Sequence, residues 1–216
     1  MSALRERQLG GLTADGAALL VVDVQRSFGD PEFLAPYELD DAAGRSVAAA
    51  VDASARLVDT ARAAGVPVFW VELGTDPGSP WRASAWLRAG DLDAPLSADE
   101  PCVIGTPGAE WYRLRPSEGE ARIVKRGYSG FLGTDLGARL EASGVRWVTV
   151  AGLTTECCVA ATATDAIQLG WPVVVATDAT AAYDVDLHAH ALEQLALNVG
   201  VLATVDEVRE RWEAVR

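Results

Sequence analysis

Short apolar runs alternate along the chain with longer segments of helical periodicity. The apolar runs have few polar positions on either face, which is typical of strands buried on both sides of a parallel sheet. Six such runs are present, at residues 17–24, 66–73, 122–124, 146–151, 172–176 and 200–203. The helical segments cover residues 44–64, 134–143, 155–169 and 187–198, and each ends close to a glycine, a common helix stop.

The regular alternation of strand and helix predicts βαβ units with right-handed crossovers. We therefore expect an α/β fold of three layers, in which a doubly wound, six-stranded and mainly parallel sheet carries helices on both faces. No internal repeat or long linker divides the chain, so residues 17–216 are predicted to form a single domain after an N-terminal extension at 1–16. Ligands of such sheets bind beyond the carboxyl ends of the strands.

Residues 74–119 break this alternation. The segment is rich in proline, glycine and aspartate and contains three tryptophans, Trp81, Trp86 and Trp111. Long connections in compact domains are often functional or form small elements of their own. We interpret this one as a cap or interface segment over the sheet edge, and its large apolar groups favour self-association.

Composition excludes several classes of partner. The sequence has 31 acidic and 18 basic residues and a net charge of −13, so we expect no basic face for nucleic acid. The first 16 residues contain no apolar signal segment, and no run of 18 apolar residues predicts a membrane span. A cytoplasmic location is the default prediction. Three cysteines in a chain of this length do not suggest a disulfide framework.

Three reactive side chains follow predicted strands: Asp23 ends the first, Lys125 the third, and Cys158 lies beyond the fourth. The carboxyl ends of parallel strands share one edge, so a carboxylate, an amine and a thiol would meet there. A nearby ammonium favours a thiolate nucleophile, and a carboxylate can take the thiol proton and return it. Plainer roles remain open, since aspartate often caps turns and cysteine in an alanine-rich helix is often a core residue.

Lys125 is the only lysine, beside 17 arginines. It is either a compositional accident or a compact amine that sits partly desolvated, which a guanidinium cannot imitate. The core interpretation suits Cys102 and the neighbour Cys157. His188 and His190, two apart on a predicted helix, point to different faces and are predicted to be surface or interface residues.

The segments LLVVDVQRSF (19–28), VKRGYSGFLGTDL (124–136) and VAGLTTECCVAATATDA (150–166) resemble the three signature blocks of the isochorismatase-like cysteine hydrolases. The segments at 105–111 and 173–182 are also similar to that family. The resemblance extends from about residue 17 to about residue 208. It is strongest to the amidohydrolase branch, which includes N-carbamoylsarcosine amidase and the ureidoacrylate and biuret amidohydrolases, and it implies the doubly wound fold.

The resemblance assigns roles block by block. The family's first-strand aspartate falls on Asp23, and its lysine, followed by an aromatic and a small residue, falls on Lys125 with Tyr128 and Ser129. Its nucleophilic cysteine directly precedes a valine, which selects Cys158 and leaves Cys157 as a neighbour.

The family also has a non-proline cis peptide in the turn before the cysteine, here Leu153–Thr154. The resemblance implies that the backbone amides of Thr154 and Cys158 form an oxyanion hole. It implies substrate contacts from Phe28, Tyr128, Leu153 and Thr154.

The resemblance implies hydrolysis of a C–N bond in a small amide, ureido or carbamoyl compound through a thioester. Nicotinamidases of the family bind a metal through an aspartate and two histidines after the second strand, but residues 72–82 contain no histidine. We therefore expect no metal, no cofactor and no nicotinamidase activity. Isochorismate-type vinyl ether hydrolysis and a non-catalytic partner domain are the alternatives, and relatives imply a homodimer or homotetramer.

Overall fold

The computed structural model describes residues 3–214 and contains, within that range, one six-stranded sheet in the order β3-β2-β1-β4-β5-β6. Every neighbouring pair of these strands is parallel. The predicted α/β fold is confirmed, with a sheet that is wholly rather than mainly parallel. The strands are β1 (Ala17–Val22), β2 (Val68–Leu73), β3 (Ala121–Lys125), β4 (Trp147–Leu153), β5 (Val173–Ala181) and β6 (Val201–Ala203).

The helices are α1 (Ala3–Gly10), α2 (Arg26–Gly29), α3 (Pro31–Leu34), α4 (Asp41–Ala64), α5 (Arg82–Ala89), α6 (Leu136–Ala142), α7 (Ala160–Gln168), α8 (Val185–Asn198) and α9 (Val205–Glu213). Short 3₁₀ turns lie at Ala35–Tyr37 and Pro107–Ala109, and a π-helical turn at Thr155–Val159 precedes α7. The predicted helix at 44–64 begins earlier, at Asp41, because the Asp40 side chain accepts the Ala43 N–H as an N-cap. The predicted helices at 134–143 and 187–198 correspond to α6 and α8.

Two apolar cores flank the sheet. Alternate residues of β1 enter opposite cores, Leu19 and Val21 on one face and Leu20 and Val22 on the other. The first core packs against α1, α4 and α9, and the second packs against α6, α7 and α8. The molecule therefore has the three layers that the alternation of strands and helices predicts.

The N-terminal helix α1 contacts the far edge of the sheet. Leu9 is buried in the first core, and the Arg5 guanidinium donates to the Leu202 carbonyl at 2.6 Å and to Glu207 at 3.0 Å. Residues of the predicted N-terminal extension thus touch β6 and α9. Within residues 3–214, none of the helices combines the length and apolarity needed to cross a bilayer.

The order of the strands reverses between β1 and β4. The chain builds β1, β2 and β3 outward in one direction, then returns to place β4 against the opposite side of β1. Loops that leave the carboxyl ends of β1 and β4 diverge at such a switch point and leave a crevice between them. This crevice is the place where the fold favours a ligand site.

Candidate active site

Asp23 follows β1 directly and is fully buried. Its backbone has a φ of 52°, which is uncommon for a residue with a side chain, and its N–H donates to the Val71 carbonyl of β2 at 2.8 Å. The chain is held there by Gln25, whose side chain donates to the Leu73 and Ala109 carbonyls at 3.0 Å each and accepts the Leu73 N–H at 2.9 Å. Gln25 thereby locks the residues after β1 to the end of β2.

Lys125 is the last residue of β3 and lies beside Leu73 in the sheet register. Its side chain is fully buried and reaches across the end of β2 toward β1. The ammonium Nζ lies 2.7 Å from Asp23 Oδ2 and 3.4 Å from Cys158 Sγ, and it donates to the Gly127 carbonyl at 2.8 Å. One amine therefore contacts both the carboxylate and the thiol.

The thiol reaches this position through an irregular turn after β4. Gly152 has a φ of 119°, and a Cβ at this position would lie 1.9 Å from the Val22 carbonyl oxygen, so only glycine fits the close approach of β4 to β1. The peptide bond Leu153–Thr154 is cis, at the position that the resemblance implies. The Thr154 carbonyl then accepts the N–H groups of Cys157 and Val159 at 3.2 and 3.1 Å. Residues 155–159 form a π-helical turn instead of the first turn of the predicted helix.

A histidine on α8 fixes the same turn. Thr155 is fully buried, and its hydroxyl is 2.8 Å from Nδ1 of His188. His188 is half-buried and also contacts this turn, whereas His190 is exposed, as predicted for a surface residue. Burial lowers the pKa of His188, which favours the neutral imidazole.

Electrostatics differ among the three clustered groups. Burial raises the pKa of the Asp23 carboxyl, although the Lys125 charge and contacts with Cys158 and Lys125 oppose the change. A raised pKa makes Asp23 a better proton acceptor than an ordinary carboxylate. Burial alone lowers the pKa of Lys125, but the Asp23 charge and the hydrogen bonds with Asp23 and Cys158 outweigh it, and the pKa is raised. The amine is therefore charged.

Burial and neighbouring groups shift the pKa values of the enclosed thiols. The hydrogen bond with Cys157, burial and the Asp23 charge raise the pKa of Cys158 above its usual range, and Lys125 opposes them. The thiol is therefore protonated at rest and must pass its proton to a base on attack. Cys157 is half-buried beside it, while burial raises the pKa of the enclosed Cys102 well above its usual range.

A pocket of about 300 Å³ opens above the thiol. The four predicted substrate contacts, Phe28, Tyr128, Leu153 and Thr154, all lie in its wall with Cys158. Asp23 and Lys125 lie beneath this wall, fully buried. Two aromatic pairs border the pocket, Trp81 with Tyr128 at 5.2 Å between ring centroids and Tyr37 with Tyr183 at 4.8 Å.

Charged side chains in the pocket wall come mainly from the segment at 74–119 and the turn after β4. The charged wall residues are Asp76, Arg88, Glu100, Arg126 and Glu156. The sequence patterns indicated neither these five residues nor Gln25 as part of the site.

A metal ion does not suit the donors of this site. In the part of the chain that the structure describes, no three His, Cys, Asp or Glu side chains are grouped so that they could hold one. Asp76 stands in the loop after β2 that holds the metal in nicotinamidases, but it is exposed and no histidine accompanies it.

Fold and pocket together describe a doubly wound α/β protein whose pocket lies over a carboxylate, an amine and a thiol. The chain belongs to the isochorismatase family, because residues 17–207 match the family model Isochorismatase domain. It is an isochorismatase-family hydrolase by this membership.

Individual relatives are similar over most of the chain. A streptothricin hydrolase of Streptomyces noursei is 37% identical over 169 residues, which are 78% of this chain and 50% of that protein. The ureidoacrylate amidohydrolase RutB of Azorhizobium caulinodans is 30% identical over 178 residues, 78% of each chain. The crystal structure of a cysteine hydrolase from Pseudomonas syringae pv. phaseolicola 1448A superposes with a TM-score of 0.82 at 26% identity, covering 95% of this chain and 96% of that one.

Proposed function

We propose that this protein is a cysteine-dependent hydrolase that cleaves the C–N bond of a small amide, ureido or carbamoyl compound. The observation that carries the proposal is the position of Lys125 Nζ, 2.7 Å from Asp23 and 3.4 Å from Cys158 beneath a pocket of about 300 Å³. A thiol, a base and a fixed cation are the groups that covalent acyl transfer needs. The similarity to amidohydrolases supports the choice of the C–N bond.

The first half of the reaction forms a thioester. Asp23 takes the proton of the Cys158 thiol, and the sulfur attacks the substrate carbonyl carbon. The backbone amides of Thr154 and Cys158 donate to the oxyanion, a kind of contact that strengthens as charge develops. The C–N bond then breaks, and Asp23 returns the proton to the departing ammonia or amine.

The second half releases the acid. A water molecule gives a proton to Asp23 and attacks the thioester carbonyl carbon. The C–S bond then breaks, and Asp23 passes the proton to the departing sulfur, which restores the Cys158 thiol and releases the acid. Lys125 stays charged throughout and stabilises first the thiolate and then the Asp23 carboxylate. Phe28, Tyr128 and Leu153 enclose the substrate and exclude bulk water, which strengthens these electrostatic contacts.

The alternatives make different demands on the site. The isochorismate-type branch has no catalytic cysteine at the position of Cys158, so the thiol argues against vinyl ether hydrolysis. A non-catalytic partner domain does not need a buried ion pair in contact with a pocket thiol.

A panel of amides, ureido and carbamoyl compounds screened for ammonia release tests the proposal directly. Mass spectrometry of the quenched enzyme should show an acyl adduct that maps to Cys158. An inert panel together with uniformly slow iodoacetamide labelling of all three cysteines would favour the non-catalytic domain.

We also propose that the chain assembles as a homodimer or homotetramer. Helix α5 presents Trp86 and Leu87, which are 58% and 64% exposed, and large apolar side chains of this kind tend to be covered by a partner. We propose neither nucleic acid nor a membrane as a partner. The cytoplasmic location stays a prediction.

A further inference from the structure

Glu156 is a charged residue of the pocket that the mechanism does not use. It lies two residues before Cys158 and belongs to the same pocket wall. Its Oε1 accepts a hydrogen bond from the Thr154 hydroxyl at 2.7 Å. Its Oε2 is buried, and no group in residues 3–214 donates a hydrogen bond to it.

An oxygen of this kind needs a donor. Buried carboxylate oxygens are nearly always hydrogen-bonded, because leaving one unpaired is unfavourable. Thr154 holds the carboxylate beside the thiol by one oxygen only. The terminal torsion of a glutamate is soft and nearly two-fold, so rotation about it can present an oxygen to the pocket.

Other charged wall residues are already engaged or lie at the rim. Glu100 forms an ion pair with Arg88 at 3.1 Å, and it also accepts the Ser84 hydroxyl at 2.6 Å. Arg126 is exposed and donates to the Ser79 carbonyl, and Asp76 is exposed on the loop after β2. Next to the thiol, the wall is otherwise mainly apolar or aromatic.

We propose that Glu156 is a specificity-determining residue that accepts a hydrogen bond from an ammonium or N–H group of the substrate. The favoured substrates are then amide or ureido compounds that carry such a donor next to the scissile group. This inference rests on the proposed hydrolase function and narrows its substrate class. Hydrogen bonds to a charged acceptor are the stronger ones, so the preference should be large.

Matched substrates test the preference. Alaninamide carries the ammonium group and propionamide lacks it, while both offer the same primary amide. The wild type should hydrolyse alaninamide with at least about tenfold higher kcat/KM, the range expected for one charge-assisted hydrogen bond. Glu156→Gln keeps the acceptor for Thr154 but replaces the other oxygen with a donor. It should lose this preference, because alaninamide hydrolysis falls much further than propionamide hydrolysis.

Charged thiol reagents give a readout that needs no hydrolysis. In a Cys157→Ala background, Cys158 is modified by 2-aminoethyl and by 2-sulfonatoethyl methanethiosulfonate, one a cation and the other an anion. Glu156→Gln should lower the ratio of the cation rate to the anion rate at least about tenfold, the same range as one charge-assisted contact. Glu156→Asp keeps the charge and should keep most of the ratio. Glu118→Gln, the same change at an exposed position outside the pocket, should leave the ratio unaltered.

The outcomes separate this inference from the hydrolase proposal. A reagent ratio and a substrate preference that are both unchanged in a folded Glu156→Gln variant would overturn the role of Glu156, even if hydrolysis is robust. A tenfold fall in the ratio with no hydrolysis of any amide would support Glu156 as a recognition group and reject the hydrolase proposal. Equal wild-type rates on alaninamide and propionamide would reject the substrate class.

Discussion

Replacing Lys125 tests whether the lone lysine holds the site together. Methionine removes its charge while keeping a long unbranched side chain, and arginine keeps the charge but changes its shape. The wild-type amine is fully buried between Asp23 and Cys158. We expect both variants to lose at least about a hundredfold in the rate of acyl-enzyme formation, the scale of a positioned electrostatic or acid–base group.

The distances set the size of the effect for Lys125→Met. At 3.4 Å between Nζ and Sγ, a unit charge attracts the thiolate by about 5 kcal/mol if the effective dielectric constant is about 20. About 1.4 kcal/mol corresponds to a factor of ten, so complete loss of this attraction lowers the thiolate population roughly 4,000-fold at fixed pH. Without the Lys125 charge, Asp23 takes up a proton and becomes neutral. The thiolate of Cys158 is then no longer repelled by the Asp23 charge, and part of the lost thiolate population is restored. The expected loss therefore lies between a hundredfold and a thousandfold, roughly.

Lys125→Arg fails for a different reason. The guanidinium is larger and planar, and the fully buried site has close-packed walls that do not adapt easily. A bidentate pair with Asp23 would also occupy the carboxylate that has to take the thiol proton. The charge is kept, so the pKa of Cys158 should move less than in Lys125→Met although turnover is equally low.

The assay follows alkylation of Cys158 by iodoacetamide against pH in a Cys157→Ala background, in parallel with amide hydrolysis. In Lys125→Met the alkylation profile should move to higher pH, because the nearby cation lowers the thiol pKa in the wild type. Arg139→Met removes an exposed positive charge and serves as the matched control. Urea unfolding of each variant shows whether the lost partner of Asp23 has destabilised the fold. Near-normal turnover in a folded Lys125→Arg, or an unmoved profile in Lys125→Met, would refute the reasoning.

Further predictions address the nucleophile, metal, fold and assembly. Cys158→Ser should abolish ammonia release while Cys157→Ala keeps most of it, and the reverse ranking in folded variants would contradict the assignment. Dialysis against a chelator should leave the rate unchanged, whereas a loss restored by zinc would reveal a metal site. Gly152→Ala should lower the free energy of unfolding by at least about 3 kcal/mol, since its Cβ would overlap the Val22 carbonyl. Gly133→Ala, at a φ of 71° and with no atom within 4 Å of the added Cβ, should lower it by only about 1–2 kcal/mol in the same urea titration. Light scattering should give a mass above the 22.8 kDa of one chain, and a monomeric mass at micromolar concentration would count against self-association.

Strands β1, β2 and β4 were predictable because burial on both faces leaves a continuous apolar run. Strand β5 was predicted at 172–176 but extends to Ala181. The run ends at Thr177 and Asp178, yet the chain stays extended there, and the Asp178 side chain accepts the Val205 N–H at 2.8 Å. A polar strand residue that accepts the first N–H of α9, 27 residues later in the chain, leaves no local pattern to detect.

Helices outside the regular alternation were missed for identifiable reasons. Helix α5 lies in the proline-rich and glycine-rich segment, where composition indicates loops. Helix α9 had a detectable signature, because Thr204 and Glu207 form a reciprocal capping box at its start. Helix α1 contributes Leu9 as its only buried residue and so has no apolar stripe.

Some residues of the candidate site could be predicted from the sequence and others could not. Asp23, Lys125 and Cys158 could be predicted because strand ends and the family blocks both point to them. Gln25 and His188 act through contacts with Leu73 and Thr155, 48 and 33 residues away in sequence. Their partners become known only when the sheet and α8 are in place, and no spacing in the sequence specifies such contacts.

The buried pair of Asp23 and Lys125 is a poor device for stability alone. Desolvation of two charges offsets much of their attraction, and apolar residues of similar size often serve a core equally well or better. Here the pair lies where the strand order reverses, and its amine contacts a thiol that opens to a pocket. Burial raises the pKa of the carboxyl while the protonated thiol beside it needs a base. The raised pKa of Asp23 and the raised pKa of Cys158 together suit proton transfer from the thiol to the carboxylate, and structural packing alone would require neither change.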